Sequence, residues 1–105
     1  MQRLDVTGLP GVPSAAAAMF YGEWLGRAQA LLSGDSLVLV FPPAGHEHAA
    51  WRLSAVQTLA RESAPSRVNA VASDDETAIA AALAYLAAAD GVTGQYLPLG
   101  SVGAG

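Results

Sequence analysis

The chain is 105 residues long, 52% hydrophobic and 13% charged, with nine acidic residues against five arginines and a formal charge of −4. That length suits one domain with one modest core, and so apolar a composition excludes a disordered chain. Cysteine and lysine are both absent, which excludes disulfides, thiolate nucleophiles, Schiff-base chemistry and a Walker-type phosphate lysine.

The cations Arg3, Arg27, Arg52, Arg61 and Arg67 form no basic run, so a nucleic-acid partner is not expected. Residues 1–13 lack the charged-then-apolar order of a secretory signal. The longest apolar run, Ala78 to Ala89, has 12 residues, short of the roughly 18 a membrane span needs. A cytoplasmic protein without a membrane partner is the expectation, with one domain over residues 1–105.

In chain order, Leu4 to Val6 is a short strand candidate, followed by a loop through Gly8, Pro10, Gly11 and Pro13. Ser14 has the chemistry of an N-cap, and an alanine-rich helix is predicted from there to about Ser33, with Gly34 as its stop. Within it Ala18, Gly22, Gly26 and Ala30 repeat every fourth residue as a smooth ridge. Leu37 to Phe41 is continuously apolar and stopped by Pro42-Pro43, which fits a strand covered on both faces.

A second helix is predicted from about His46 to Ala64, with Leu53, Val56, Leu59 and Ala60 at helical spacing. Arg67 to Ala72 is a further strand. Ser73-Asp74-Asp75-Glu76 matches a capping box, with Ser73 as cap and Glu76 reaching back to it, opening a helix that stops near Asp90-Gly91. Gln95 to Leu99 is the last strand, and the tail from Gly100 to Gly105 is expected to fray. The order (β)αβαβαβ predicts an α/β fold of roughly four parallel strands and three helices, joined by right-handed crossovers.

Two stretches resemble the short-chain dehydrogenases/reductases. Leu59-Ala60-Arg61-Glu62 through Arg67-Val68-Asn69-Ala70-Val71 is similar to that family's Leu-Ala-x-Glu…Arg-Val-Asn-x-Val passage. Val92-Thr93-Gly94-Gln95 resembles its closing Thr-Gly-Gln segment, and Ala78 to Asp90 the helix before it. Arg3-Leu4-Asp5-Val6 with Gly11 is faintly similar to its fourth-strand region. The resemblance spans most of this chain but only the second half of the family's usual Rossmann-like fold, so it implies a truncated, three-layer version.

The departures from the family pattern bear on function. No Gly-x-x-x-Gly-x-Gly turn for a dinucleotide pyrophosphate occurs. Counting back from Leu59-Ala60, the family's Tyr-x-x-x-Lys pair falls on Gly45 and Ala49. In the family the tyrosine supplies a proton and the lysine lowers its pKa; glycine and alanine do neither. The family's serine falls in the Pro42-Pro43 region, its helix asparagine near Ala18, and its Pro-Gly step on Ser73-Asp74. The resemblance thus implies no catalytic residues and no cofactor.

Other clusters carry little chemistry. His46-Glu47-His48 sits at a predicted helix start with no third ligand near in sequence, so a solvated start is expected rather than a metal site. Tyr21, Tyr85 and Tyr96 have no partner at catalytic spacing and are read as packing residues. Ser33, Ser36 and Ser54 lie in no nucleophile elbow.

The small-residue ridge is different. A helical glycine costs about 1 kcal/mol relative to alanine, so Gly22 and Gly26 call for a closely packed neighbour. That neighbour is either in the same chain or in another subunit. In the family, the helices resembling residues 14–33 and 46–64 pack against symmetry mates in a four-helix bundle. The expected interface residues are therefore Ala18, Gly22, Gly26, Ala30, Trp51 and Ala55.

The functional expectation is a non-catalytic domain that acts by assembling, as a homo-oligomer or with a full-length reductase of the family. The alternative is an NAD(P)-dependent oxidoreductase or small-ligand binder with a site near Pro42 to His48 and Ala72 to Asp75, at the carboxyl ends of the strands. A remnant with no selected activity is a third reading.

Overall fold

A computed structural model describes residues 1–100; the rest of the tail expected to fray lies outside the described residues. Four strands, β1 (Gln2–Asp5), β2 (Leu37–Phe41), β3 (Val68–Ala72) and β4 (Tyr96–Pro98), form one parallel sheet in the order β1-β2-β3-β4. The register aligns Leu4 with Leu39, Leu39 with Ala70, and Ala70 with Tyr96. Those four side chains share one face. Beneath it pack α1 (Pro13–Met19), a π-helical segment (Phe20–Trp24), α2 (Leu25–Leu31) and α3 (Ala49–Ser63). On the other face Val38, Val40, Val71 and Leu97 meet Ile79, Leu83 and Leu86 of α4 (Glu76–Ala88).

The predicted three-layer α/β arrangement is therefore present, with one correction. The sheet grows in one direction throughout, yet the first two crossovers run over one face and the third over the other. The β3–α4–β4 connection consequently has the opposite hand to its predecessors. Three like-handed crossovers were expected, since one hand predominates strongly in such units.

The first helical body shows why an α-helix alone does not satisfy this sequence. Ala16, Phe20, Trp24, Ala28 and Leu32 are all buried, one every fourth residue. In an α-helix such a row drifts by about 40° per step, because a turn takes 3.6 residues. The wider π turn at Phe20–Trp24 rotates the row back, so Phe20 and Leu32 both reach the core. Ala18, Gly22, Gly26 and Ala30 follow the same repeat two residues out of step and lie exposed on the opposite side.

Several ends differ from expectation. Ser14 does not cap; Val12 occupies the cap without a side-chain bond, and Pro13 takes the first helical position, where its missing N–H costs nothing. His46–His48 is a 3₁₀ turn that leads into α3. At α4 the cap is Asp75, whose carboxylate accepts from the N–H groups of Thr77 (3.0 Å) and Ala78 (3.4 Å). Ser73 Oγ instead accepts from Asp75 N–H at 3.0 Å, and Glu76 turns away to Arg3. An aspartate directly before the helix outcompetes a serine two residues earlier.

Both sheet edges are blunted. Edge strand β1 carries Arg3 and Asp5, joined at 2.7 Å, and Arg3 bonds Glu76 of α4 through both terminal nitrogens. Edge strand β4 is three residues long and holds Pro98. Its ladder uses Gln95 O and Leu99 N, so the proline nitrogen faces outward, where no donor is needed. Charged and proline-bearing short edges resist strand addition. Among the described residues, no helix is long and apolar enough to cross a membrane.

Candidate functional site

The stretches that resemble the dehydrogenase family meet at the amino end of the sheet, where they hold the fold together. Arg67 Nη1 donates to the carbonyls of Leu86 and Ala89, each at 2.7 Å, closing the carboxyl end of α4. Buried Asn69 donates from Nδ2 to Val92 O (2.9 Å) and accepts from Gln95 N–H at Oδ1 (3.1 Å). Thr93 Oγ1 accepts from Val68 N–H at 3.0 Å, and Gly94 N–H donates to Val68 O at 2.7 Å. Gly94 turns with φ +73°, a conformation that disfavours side chains. The Arg-Val-Asn and Thr-Gly-Gln segments are two halves of one clamp joining β3, α4 and β4.

The opposite end, outside the carboxyl ends of the strands, is where open α/β sheets present ligand sites. Here a shallow cleft of about 200 Å³ runs between β1, β2 and the start of α4, lined by Arg3, Asp5, Thr7, Pro42, Asp74 and Glu76 among others. Three carboxylates face one guanidinium. Hydrogen bonding to Glu76, and then to Asp5, raises the Arg3 pKa above its ordinary value; the same bond from Arg3 lowers that of Glu76. The one cation of the cleft is thus committed to acids of its own chain.

Gly45 precedes the 3₁₀ turn, and a Cβ added there would collide with the carboxylate of Glu47. That carboxylate is the far end of an exposed, flexible side chain that can swing aside, and it places negative charge at the start of the helix, where the dipole favours it. Ala49 follows as the first residue of α3.

The histidines do not share a ligand. His46 is exposed, but His48 is buried, which corrects the expectation of a solvated start. Trp51 Nε1–H donates to His48 Nδ1 (3.0 Å), so His48 Nε2 carries the proton that bonds Gly11 O (3.0 Å). Both ring nitrogens are occupied in tying the Gly8–Val12 loop to α3. Among the described residues no group of three His, Cys, Asp or Glu is placed to hold a metal.

Sequence reasoning missed Arg52. It is 2% exposed, and its Nη1 donates to Pro42 O (2.9 Å) and Tyr96 Oη (3.0 Å). The guanidinium lies 4.6 Å from the centre of the Phe41 ring and faces Trp51 and Tyr96 as well. No carboxylate pairs with it among the described residues, and Nε has no partner. Aromatic faces and a carbonyl stand in for a counter-ion. The signal was the helical period: position 52 precedes Ala55 and Val56 by three and four residues, on the buried face of α3. A cation paired with a tyrosine hydroxyl is suggestive, but none of the described clefts is lined by Arg52 or Tyr96. The pair fastens α3 to β2 and β4.

The expected interface residues separate into two groups. Ala18, Gly22, Gly26 and Ala30 are exposed, and nothing lies within 4 Å of a Cβ built on either glycine. No neighbour in the same chain therefore accounts for them. Trp51 is half-buried against the core, and Ala55 is 1% exposed inside it. The exposed residues of α3 are instead Ala50, Leu53, Ser54, Gln57, Arg61 and Glu62.

A three-layer parallel α/β unit whose Arg-Val-Asn and Thr-Gly-Gln segments join β3, α4 and β4 belongs to the dehydrogenase-like class of Rossmann-type folds. The family model described as "Short chain dehydrogenase-like protein" (SDR-like) matches residues 4–99, and the chain belongs to that family. Neither the curated proteins nor the solved structures yielded a match.

Membership raises the question of a nicotinamide dinucleotide, and the residues present do not fit one. A pyrophosphate at this end of the sheet would meet Asp5, Asp74 and Glu76, with Arg3 already engaged. The helix start nearest the β2 carboxyl end carries the negative charge of Glu47. Free N–H groups and net positive charge are what such an anion requires, and this cleft supplies the reverse.

Proposed function

We propose that this chain is a non-catalytic short-chain-dehydrogenase-like domain that acts by assembling, as a homo-oligomer or as a structural subunit of a full-length reductase. The observation that carries the reading is the pair of exposed glycines, Gly22 and Gly26, set between Ala18 and Ala30 with open space above them. Two helical glycines cost about 2 kcal/mol relative to alanine, and no contact within the chain offsets it. A helix of another subunit approaching closely along that ridge does. Half-exposed Leu53 and Tyr21 extend the apolar area on that side.

Three features support docking over catalysis. Gly45 and Ala49 stand where the family resemblance puts the proton donor and its lysine. The cleft is acidic and its cation is paired. The blunted sheet edges leave helix faces as the surfaces open to association.

The test is light scattering after size-exclusion chromatography at micromolar concentration. The wild-type chain, alone or with its reductase, elutes as an assembly, and Gly22→Leu lowers its mass without changing the far-ultraviolet circular dichroism. A monomer that captures no reductase refutes the reading. So does saturable quenching of Trp24 and Trp51 fluorescence by NADPH with accompanying turnover, which would establish the oxidoreductase alternative.

A further inference from the structure

The loop between β1 and α1 hangs on a single hydrogen bond. Among the described residues, Gly11 O accepts from His48 Nε2 at 3.0 Å, across 37 residues of sequence, and residues 7–11 make no other such bond. Leu9 adds an apolar anchor against the core. The His48 side of the bond is deeply set. The residue is 6% exposed, and its Nδ1 accepts from the Trp51 indole N–H at 3.0 Å. Trp51 in turn packs on Phe20 of the π-helical segment and on Phe41 of β2, with ring centres 5.7 Å away in each case.

We propose that His48 is a proton-operated latch: neutral, it fastens the 7–11 loop and the entry to α1 onto α3, and protonated, it lets both go. The latch lies within one chain, so it holds or fails independently of any assembly.

A neutral imidazole has one donor and one acceptor nitrogen, and this arrangement uses each of them once. A second proton can go only to Nδ1, the acceptor. Its N–H then points at the indole N–H, two donors 3.0 Å apart where a bond had been. One ring has to move. Because the same imidazole carries the bond to Gly11, its departure frees the loop as well.

The surroundings give the imidazolium no reason to stay. On α3, Arg52 lies one turn on, with its guanidinium 5.8 Å from the centre of the same Trp51 ring, and like charges repel. His46 and Glu47 of the 3₁₀ turn are exposed, as are Tyr21 and Glu23 of the π-helical segment. Residues 7–12, α1 and β2 hold no titratable side chain. No described carboxylate pairs with His48, and a buried charge without a partner is strongly unfavourable. Histidine is the side chain that changes charge between about pH 5 and 8, so mild acidity works the latch.

The freed segment borders the carboxyl-end cleft through Thr7 and runs directly into Pro13 of α1. Release therefore loosens α1 against α3. The clamp at the other end of the sheet contains no histidine and stays shut.

The experiment is nuclear magnetic resonance on the isotope-labelled chain between about pH 7.5 and about pH 5, the range in which histidine titrates. At the upper end His48 shows the Nε2–H tautomer, and the Trp51 indole N–H, assigned as the signal missing from Trp51→Phe, is protected from exchange. At the lower end its protection factor falls on the order of fivefold to tenfold, the equivalent of one hydrogen bond. The backbone order parameters of Gly8, Leu9 and Gly11 fall with it, while the clamp amides of Gly94 and Gln95 keep their protection. His48→Gln retains a donor for Gly11 but takes up no proton, so it shows no such response. An Nδ1–H tautomer or unchanged Trp51 protection at the acid end overturns the proposal. So does an equal response in His48→Gln, or a loss shared equally by Gly94 and Gln95.

Discussion

Asn69→Ala tests the claim that the family-like segments form a structural clamp. Asn69 is 1% exposed, and its amide makes two of the bonds that hold the Val92–Gln95 turn, at 2.9 and 3.1 Å. A buried hydrogen bond contributes about 1 kcal/mol net, and the Val92 carbonyl and Gln95 amide left unpaired add a desolvation penalty, giving a loss of about 2–3 kcal/mol. In a domain of this size that is a fall of roughly 10–20 °C in Tm. Urea unfolding followed by tryptophan fluorescence reads it directly. Asn69→Asp is the sharper arm. Its carboxylate still accepts from Gln95 but confronts the Val92 carbonyl in a dry site, so burial raises its pKa in the folded state. The destabilisation is therefore largest at neutral pH and shrinks as pH falls toward the ordinary aspartate range near ~4. A loss under about 0.5 kcal/mol for Asn69→Ala, below the usual net value of even one such bond, or a pH-independent deficit for Asn69→Asp, refutes the clamp.

Asp75→Ala should cost about 1 kcal/mol in urea melts and Asp75→Asn much less, since the amide oxygen still caps; equal losses would restore Ser73 as the cap. The Arg3–Glu76 pair gives a pH signature. Because the bond from Arg3 lowers the Glu76 pKa, its contribution is present above the ordinary glutamate range and disappears as pH falls below it. Wild type and Arg3→Met should differ most in urea midpoint near pH 7, and the difference should shrink as pH falls from about 5 through the acid range. A difference that does not shrink on acidification would mean that Arg3 acts through packing.

Much of the fold was legible because its signals are local. The apolar run Leu37–Phe41, the stop at Gly34 with φ +90°, and the spacing of Val56, Leu59 and Ala60 each report on a few neighbouring residues. What escaped depends on partners far apart in sequence. The π turn follows from the need to aim Phe20 and Leu32 at one core, which only the sheet beneath them defines. The buried ring of His48 bonds Gly11, 37 residues away. Arg52 was not singled out because its partners, Pro42 and Tyr96, come from two other elements. At α4, two adjacent acids and a serine competed for one cap, and proximity to the first helical N–H groups decided it. The glycine ridge was read correctly as a smooth face, but which side of the helix met solvent was set by the tertiary fold.

The two ends of the sheet have diverged in a way that bears on function. At the amino end every polar group of the clamp is satisfied: Arg67 holds two carbonyls, Asn69 holds a carbonyl and an amide, and Thr93 and Gly94 complete the turn. At the carboxyl end Arg3 pairs with Asp5 and Glu76 in the cleft, and Arg52 donates to Pro42 and Tyr96 inside the core, where its Nε is left without a partner. An enzyme of this fold class needs the reverse at that end, with unpaired donors and a proton-transfer group held ready at a cost in stability. Here the guanidinium of the cleft is paired within the chain, while the exposed helix faces carry glycines and uncharged alanines. The smooth, uncharged helix faces are the surfaces on which the proposed assembly rests.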